Sequence, residues 1–422
     1  MKETTIWRPY TQEKTATLPQ HIKKAEGCYY FDQEGNKIFD GISSWWVNIH
    51  GHSHPKLAQS VSEQMEVLQQ IIFAGYTHEQ GEELAQKVVK LLDHQYPKVF
   101  FSDNGSTAVE VGIKMALQYW SNHNLKKNRI IAFKNGYHGD TFGARAVTDA
   151  IKEPTGLSEN MTDVHFITAP LANDPNSQEE SIQELKELLN RYNDIGAFIF
   201  EPMVQGVAGM KMQDPTALNQ LLKLAHQNNI ITIADEVMTG FYRTGKRFAI
   251  DYLDEKPNII CLAKALTGGI LPLSLTLCQQ KIYEAFYSDD KTKALLHGHS
   301  FTGNALGCAV ANASLEILED QETQTNIKNI EDLHNQFKNE IVGDNRYEVR
   351  TLGTILAIEF KNDERADYFN SLSETLSQFF ISKKMLLRPL GNVIYLIPPY
   401  CTKEEDLLPV YKALKDFIRI HI

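Results

Sequence analysis

Lys264 follows the apolar run Ile259-Ile260-Cys261-Leu262-Ala263 and precedes Leu266-Thr267-Gly268-Gly269. A run of that kind reads as a buried strand, and it delivers the lysine to the strand's carboxyl end, where ligands sit in open α/β sheets. Burial there disfavours the ammonium and leaves a neutral amine able to attack an aldehyde carbon. Alone, Lys264 is as readily a solvated lysine at a strand end. A second strand pattern, Ile230-Ile231-Thr232-Ile233-Ala234, ends in Asp235-Glu236. A pyridine ring that serves as an electron sink needs a carboxylate at its nitrogen, so Lys264 and Asp235 together point to pyridoxal phosphate chemistry. Without Lys264, Asp235 would read as a helix cap or a loop acid.

Other strand ends carry compatible groups. Lys98-Val99-Phe100-Phe101 leads into Ser102-Asp103-Asn104-Gly105-Ser106, then a helical pattern with Val109, Ile113, Leu117 and Trp120 on one face. Gly105 and Ser106 at a helix start offer backbone N–H groups, a hydroxyl and the positive dipole end to a phosphate. The same residues also describe a plain capped turn, with Thr107 and Glu110 as a capping box. Arg129-Ile130-Ile131-Ala132-Phe133 runs to Gly136-Tyr137-His138-Gly139, which sets Tyr137 on a glycine-flanked turn suited to stacking on a flat ring, or else in the core. Ala197-Phe198-Ile199-Phe200 ends in Glu201-Pro202, where a buried carboxylate can orient a neighbour and Gln205 can reach a phenolic oxygen, although an acid before proline is commonly structural.

With these residues in order, the chain resembles the class III pyridoxal-phosphate aminotransferases of fold type I. The resemblance rests on Gly136-Tyr137-His138-Gly139, on the stretch from Asp235-Glu236-Val237-Met238 to Arg243-Thr244-Gly245 and on Leu262-Ala263-Lys264-Ala265-Leu266, and it covers essentially the whole chain. Trp7-Arg8-Pro9-Tyr10-Thr11-Gln12, the 43–52 stretch with Trp45-Trp46, and Arg388-Pro389-Leu390-Gly391-Asn392-Val393-Ile394-Tyr395 are most similar to the branch acting on 8-amino-7-oxononanoate in biotin synthesis. The resemblance implies pyridoxal phosphate as cofactor and S-adenosylmethionine as usual amino donor, with lysine used by some relatives. It also implies that Tyr10, Trp45, Trp46 and Tyr137 line the substrate pocket, that Arg388 pairs with the substrate carboxylate beside Tyr395, and that Arg243 lies on the donor side. A long apolar chain ending in one carboxylate does call for an aromatic slot and an arginine fork. Adjacent tryptophans on a strand would point to opposite faces, which would make one of the pair structural. Where relatives carry Pro-Thr or Thr-Thr after a His-Gly pair, this chain reads His297-Gly298-His299-Ser300-Phe301-Thr302. The phosphate contact to a neighbouring subunit therefore passes to Ser300 and Gly298, with Thr302 second, and a homodimer is implied. Another ω-aminotransferase, a decarboxylase or mutase, and a cofactor-binding module without catalysis remain alternatives, since one fold hosts many reactions.

The elements that must position these groups form an α/β fold. Strand-like runs near 98–102, 129–133, 164–168, 195–200, 230–235, 259–263 and 273–278, mostly separated by helical patterns, predict a mainly parallel seven-stranded sheet. The short link between the last two suits an antiparallel turn. A hairpin is expected over 28–39, and a final helix capped by Thr402 and Glu405, with Leu407, Leu408, Tyr411, Leu414, Phe417 and Ile418 on its apolar side. The resemblance divides the chain into an N-terminal segment 1–50, a large domain 51–320 and a small C-terminal domain 321–422, the small domain being built from both chain ends.

A length of 422 residues gives ample core, and a formal charge of −11 without a basic cluster argues against nucleic acid or anionic membrane as partner. The N-terminal stretch from Met1 to Ile6 shows no apolar signal region, and the 259–278 stretch contains Lys264, so neither a leader nor a membrane span is expected. Five unclustered cysteines suit a reducing cytoplasm. The histidines at 50, 52, 54, 297 and 299 have no cysteine or carboxylate cluster beside them, so no metal is expected.

Overall fold

A computed structural model of the chain describes residues 5–150, 163–361 and 370–422, so Met1 to Thr4 of the stretch read for a signal region lie outside it. All seven expected strands enter one sheet, in the order Lys98–Ser102, Ser274–Cys278, Ile259–Leu262, Ile231–Asp235, Ile195–Phe200, Arg129–Phe133, Val164–Ile167. Only Ser274–Cys278 runs against its neighbours, pairing antiparallel with Ile259–Leu262 on one side and Lys98–Ser102 on the other. The short link before it leaves no room for a crossover helix, so the turn must be antiparallel. The other strands share a direction, and their carboxyl ends lie along one rim.

Both faces of this sheet are covered, and its central strands Ile195–Phe200, Ile231–Asp235 and Ile259–Leu262 are accordingly buried along their whole length. The helix Gly105–Asn122 lays Val109, Ile113 and Trp120 over Ile130, Ala197, Ile231 and Ile259. The Trp120 indole N–H donates to the Gly196 carbonyl at 2.8 Å, so the ring is buried without orphaning its donor. The cap of this helix is not the expected pair. Asn104 Oδ1 accepts from the Thr107 N–H and Thr107 Oγ1 accepts from the Asn104 N–H, both at 3.1 Å. Glu110 instead accepts from the Gly143 N–H at 2.7 Å.

A second core joins the two chain ends. Cys28 and Phe39 pack with Ile330, Phe337, Leu356, Ile394, Leu414 and Phe417. The hairpin Tyr29–Asp32 and Lys37–Asp40 turns at Gly35 as expected, and Met385–Leu386 adds to its edge in parallel with Lys37–Asp40. The last helix, Glu404–His421, begins one residue later than expected: the Lys403 N–H donates to Asp406 at 3.0 Å, and Leu408 faces solvent.

The Trp45-Trp46 pair is not on a strand. Ser43, Ser44, Trp45 and Trp46 all have positive φ (49°, 65°, 155° and 71°), a run that sets both indoles toward the same region rather than on opposite faces. Each left-handed residue costs about 1–2 kcal/mol, so the surroundings must hold the run in place. Asp40 does much of this. Its Oδ1 accepts from the N–H groups of Ile42 (3.2 Å) and Ser44 (3.0 Å), its Oδ2 lies 2.9 Å from His52 Nε2, and Ser43 Oγ donates to the Ile397 carbonyl at 2.7 Å.

The second core meets the main sheet's rim at Gly353, which has φ +55° and touches the backbone of Thr244 and Gly245. The next residue, Thr354, donates its N–H to the Arg243 carbonyl at 3.0 Å. A Cβ at position 353 would overlap backbone that cannot move aside, whereas one at Gly343, also at positive φ, would meet open space. Gly353→Ala is therefore expected to cost about 3 kcal/mol or more and Gly343→Ala about 1–2 kcal/mol, read as the difference in their denaturant midpoints.

Candidate active site

Along the rim, the strands ending at Ser102, Asp235 and Leu262, together with the turns holding Tyr137 and Glu201, enclose a cavity of ≈ 530 Å³. Lys264 enters it from a short 3₁₀ turn, Lys264–Thr267, with φ +46° and its Nζ 4.6 Å above the Trp46 ring. Burial brings its amine down to about 8, against the opposing pull of the Asp235 and Glu201 carboxylates, with Arg243 pushing further down. Asp235, the last residue of its strand, has Oδ2 2.7 Å from His138 Nδ1, and Oδ1 accepts from the Val237 N–H at 3.1 Å. His138 is itself held by its N–H to Thr148 Oγ1 at 2.8 Å.

Glu201 ties two turns together, Oε2 accepting from the Tyr137 N–H (3.1 Å) and Oε1 from the Gly206 N–H (3.0 Å). Burial lifts its carboxyl to about 7, with His138 opposing and Asp235 assisting. Gly105 and Ser106 are the first residues of their helix and line the cavity, so its N-terminal N–H groups and dipole are available to an anion. The close packing needs glycine: a Cβ at Gly105 would stand 2.6 Å from Val237 Cγ1, and one at Gly139 (φ +124°) would overlap Ser106.

A second chamber of ≈ 370 Å³ opens from the first past Trp46, Tyr137 and Lys264, which line both. Its walls include Tyr10, Trp45, Trp46, Arg388 and Tyr395. The Trp46 indole N–H donates to the Tyr395 hydroxyl at 3.1 Å, and the Arg388 guanidinium lies 4.5 Å over the Trp45 ring. Tyr10 meets Trp45 edge-on at 5.9 Å, and its hydroxyl bonds to Asp140 and to Tyr137 Oη. Both tryptophans line the chamber, as the resemblance implied, one half-exposed and the other buried; the alternative that one of them is structural loses its premise, because the pair is not on a strand and the left-handed run turns both inward.

Four expected residues stand apart. Gln205 lies behind the cavity, its amide donating to the Lys134 carbonyl at 3.0 Å, and it lines a different pocket. Arg243 is fully buried and lines neither chamber. It donates to the Pro398 carbonyl at 2.9 Å and lies over the Tyr400 ring, while its Nε and Nη2 have no partner among the described residues. Gly298 and Ser300 lie on an exposed loop away from both chambers, where Gln70 Nε2 donates to the Ser300 carbonyl at 3.0 Å. Sequence reasoning missed Asp140, whose carboxylate receives both the Tyr10 and Tyr137 hydroxyls. Its only local signal was a place three residues after Tyr137. His50 and His52 serve Ser314 and Asp40, and among the described residues no group of histidines, cysteines and carboxylates could hold a metal. No helix among them is long and apolar enough to cross a membrane.

A doubly wound sheet with a buried lysine, a strand-end aspartate and a helix N-terminus on one cavity defines a class, and the comparisons agree. The family model for class-III aminotransferases matches residues 10–418, and the chain belongs to that family. It is 40% identical to the adenosylmethionine-8-amino-7-oxononanoate aminotransferase of Synechococcus elongatus, covering 98% of both chains. With the enzyme of the same name from Anoxybacillus flavithermus it is 36% identical over 99% of this chain and 95% of the other. The crystal structure of the Methanocaldococcus jannaschii protein of that name has a TM-score of 0.91 at 33% identity, covering 98% of this chain and 97% of that one. A PLP-bound amine transaminase from an uncultivated Pseudomonas species has a TM-score of 0.89 at 27% identity, covering 99% of each.

The lowered amine of Lys264 has a direct consequence. At pH 7 an amine of pKa about 8 is roughly one-tenth neutral, against roughly one part in three thousand for an ordinary lysine. In the cofactor-free protein, borohydride trapping of an aromatic aldehyde should mark Lys264 first. Its rate should rise as pH climbs through about 8 and then level off, followed by peptide mapping. A rise that continues toward pH 10 would mean an exposed, ordinary lysine.

Proposed function

We propose that this chain transfers an amino group, with pyridoxal phosphate as cofactor, to 8-amino-7-oxononanoate, giving 7,8-diaminononanoate for biotin synthesis, with S-adenosylmethionine as the amino donor. The observation that carries this reading is the second chamber: an aromatic slot leading from the Lys264 amine to the Arg388 guanidinium. A stretch of about five methylenes between the reacting ketone and a carboxylate at its far end fits such a slot. The names of the relatives support the same substrate, and lysine is the alternative donor.

The first cavity suits the cofactor. The N-terminus at Gly105 and Ser106 suits a phosphate, Tyr137 a ring face, Asp235 a ring nitrogen, and Lys264 an aldehyde. Bound there, pyridoxal phosphate supplies the electron sink that stabilises negative charge at the carbon losing its proton. Asp235, oriented by His138 and by the Val237 N–H, holds the proton at the ring nitrogen. The Lys264 amine takes a proton from the substrate carbon that carries nitrogen and delivers it to the carbon on the far side of that nitrogen, a task that its value near 8 suits at physiological pH. Trp46, anchored on Tyr395, covers one side of that amine. Arg388 receives the carboxylate, and its stacking on Trp45 limits the freedom lost when it does so.

Gly298 and Ser300 serve the phosphate of the neighbouring subunit in a cytoplasmic homodimer. Support comes from their exposure and from the solvent-facing apolar side chains of Leu296 and Phe301 beside them, which a partner would cover. The division into 1–50, 51–320 and 321–422, with both chain ends in the small domain, is supported by the packing of Cys28 and Phe39 with Ile330, Leu356 and Phe417, while Ile355, Val393 and Tyr395 pack in the main core. The runner-up, a different class III ω-aminotransferase, would share the first cavity and differ in the second.

Three experiments test this. Mixing the yellow, cofactor-loaded protein with 7,8-diaminononanoate should bleach its visible absorbance and release 8-amino-7-oxononanoate, detected by mass spectrometry, and Lys264→Ala should abolish turnover while still retaining cofactor. Bleaching by other ω-amines but not by the diamine would favour the runner-up. Arg388→Leu should raise KM for 8-amino-7-oxononanoate by about 10- to 100-fold, the worth of a charged hydrogen-bond pair, and leave amines without a carboxylate unaffected.

A further inference from the structure

Behind the aromatic chamber lies another cavity, of ≈ 220 Å³, and Val207 and Leu390 line both. The charged groups on its wall already have partners. Lys134 Nζ lies 2.6 Å from Glu184, and Lys211 Nζ and Arg350 Nη1 each lie 2.6 Å from Glu359. The cavity lining is mixed: Asn135, Thr168 and Gln205 add polar groups, and apolar surface comes from Ala169, Leu171, Ala208 and Val393, the part next to Val207 and Leu390 that a methylene chain could use.

The wall between the two spaces is stiff. Leu390 donates its N–H to the Val393 carbonyl at 2.8 Å and accepts from the Val393 N–H at 3.0 Å, across a tight turn in which Gly391 has φ +61°. Val207 has a branched side chain with restricted χ1 and follows Gly206, whose N–H is held by Glu201 at 3.0 Å. A substrate held at one end near Lys264 and at the other by Arg388 has its length set by that span. Surplus methylenes must leave the line between the two ends, and this wall stands between them and the partly apolar space behind.

We propose that Val207 and Leu390 form a partition that sets the length of the linear carboxylate accepted by the aromatic chamber, and that the cavity behind it holds the surplus methylenes of longer homologues once either side chain is cut back. The inference rests on the substrate reading above and adds the residues that fix chain length. Each further methylene buried should tighten binding by roughly fourfold.

The test is calorimetric titration of heptanoate, nonanoate and undecanoate into the cofactor-loaded wild type, Leu390→Ala and Val207→Ala. Wild-type affinity should rise as far as nonanoate and then stop or fall. In the variants it should continue to rise, so that the ratio of undecanoate to nonanoate affinity grows by roughly tenfold. The two variants remove different halves of the wall, so either one that folds and binds nonanoate suffices. An unchanged ratio in such a variant, or a wild type that continues to gain through undecanoate, overturns the partition while leaving conversion of 7,8-diaminononanoate intact. If the wild type neither binds these acids nor converts that diamine, the substrate reading falls and the partition falls with it.

Discussion

A lysine amine drawn largely out of bulk water, at the junction of two cavities, is the constraint on which the rest of this molecule depends. Lys264 sits at the end of a fully buried strand, beneath the Trp46 ring and within the field of two carboxylates. Burial of an ammonium is costly, and here it prevails over the attraction of Asp235 and Glu201, which keeps the amine reactive near neutral pH. Glu201 carries the opposite strain. Its carboxyl is lifted to about 7, and it is tolerated because it accepts N–H bonds from Tyr137 and Gly206 and so fixes two turns of the cavity wall.

The cavity exists because several backbones approach more closely than side chains ordinarily permit. Gly105 lets the start of its helix rest on Val237, directly after the Asp235 strand, and Gly139 lets the Tyr137 turn cross Ser106. These contacts bring a helix N-terminus, an aromatic ring and a carboxylate to one space from strands distant in sequence. The geometry is that of a switch point in an open α/β sheet, with the ligand-facing groups all at carboxyl ends.

The second chamber depends on a different device. Asp40 holds four consecutive left-handed residues, and the neighbouring edge of its sheet is completed by Met385–Leu386 from near the other chain end. The same chain end contributes Arg388, Leu390 and Tyr395 to the chamber. The second core therefore does more than stabilise the chain: it fixes the far wall of the pocket relative to Lys264, and Gly353 marks where the two cores interlock.

The sequence by itself determined the seven strands, their antiparallel exception and the residues placed at their ends, Lys264, Asp235, Gly105, Ser106 and Tyr137. Those features follow from hydrophobic runs and from what comes immediately after them, which are local properties of the chain. Tertiary structure decided the remainder. It moved Gln205 and Arg243 out of the cavity, because which side of a turn a residue faces depends on what packs above it. It recruited Asp140 to the Tyr10 and Tyr137 hydroxyls, a contact between segments more than a hundred residues apart. It also turned Trp45 and Trp46 toward one chamber by a left-handed run that no propensity favours, since such a conformation persists only where surrounding hydrogen bonds offset its cost.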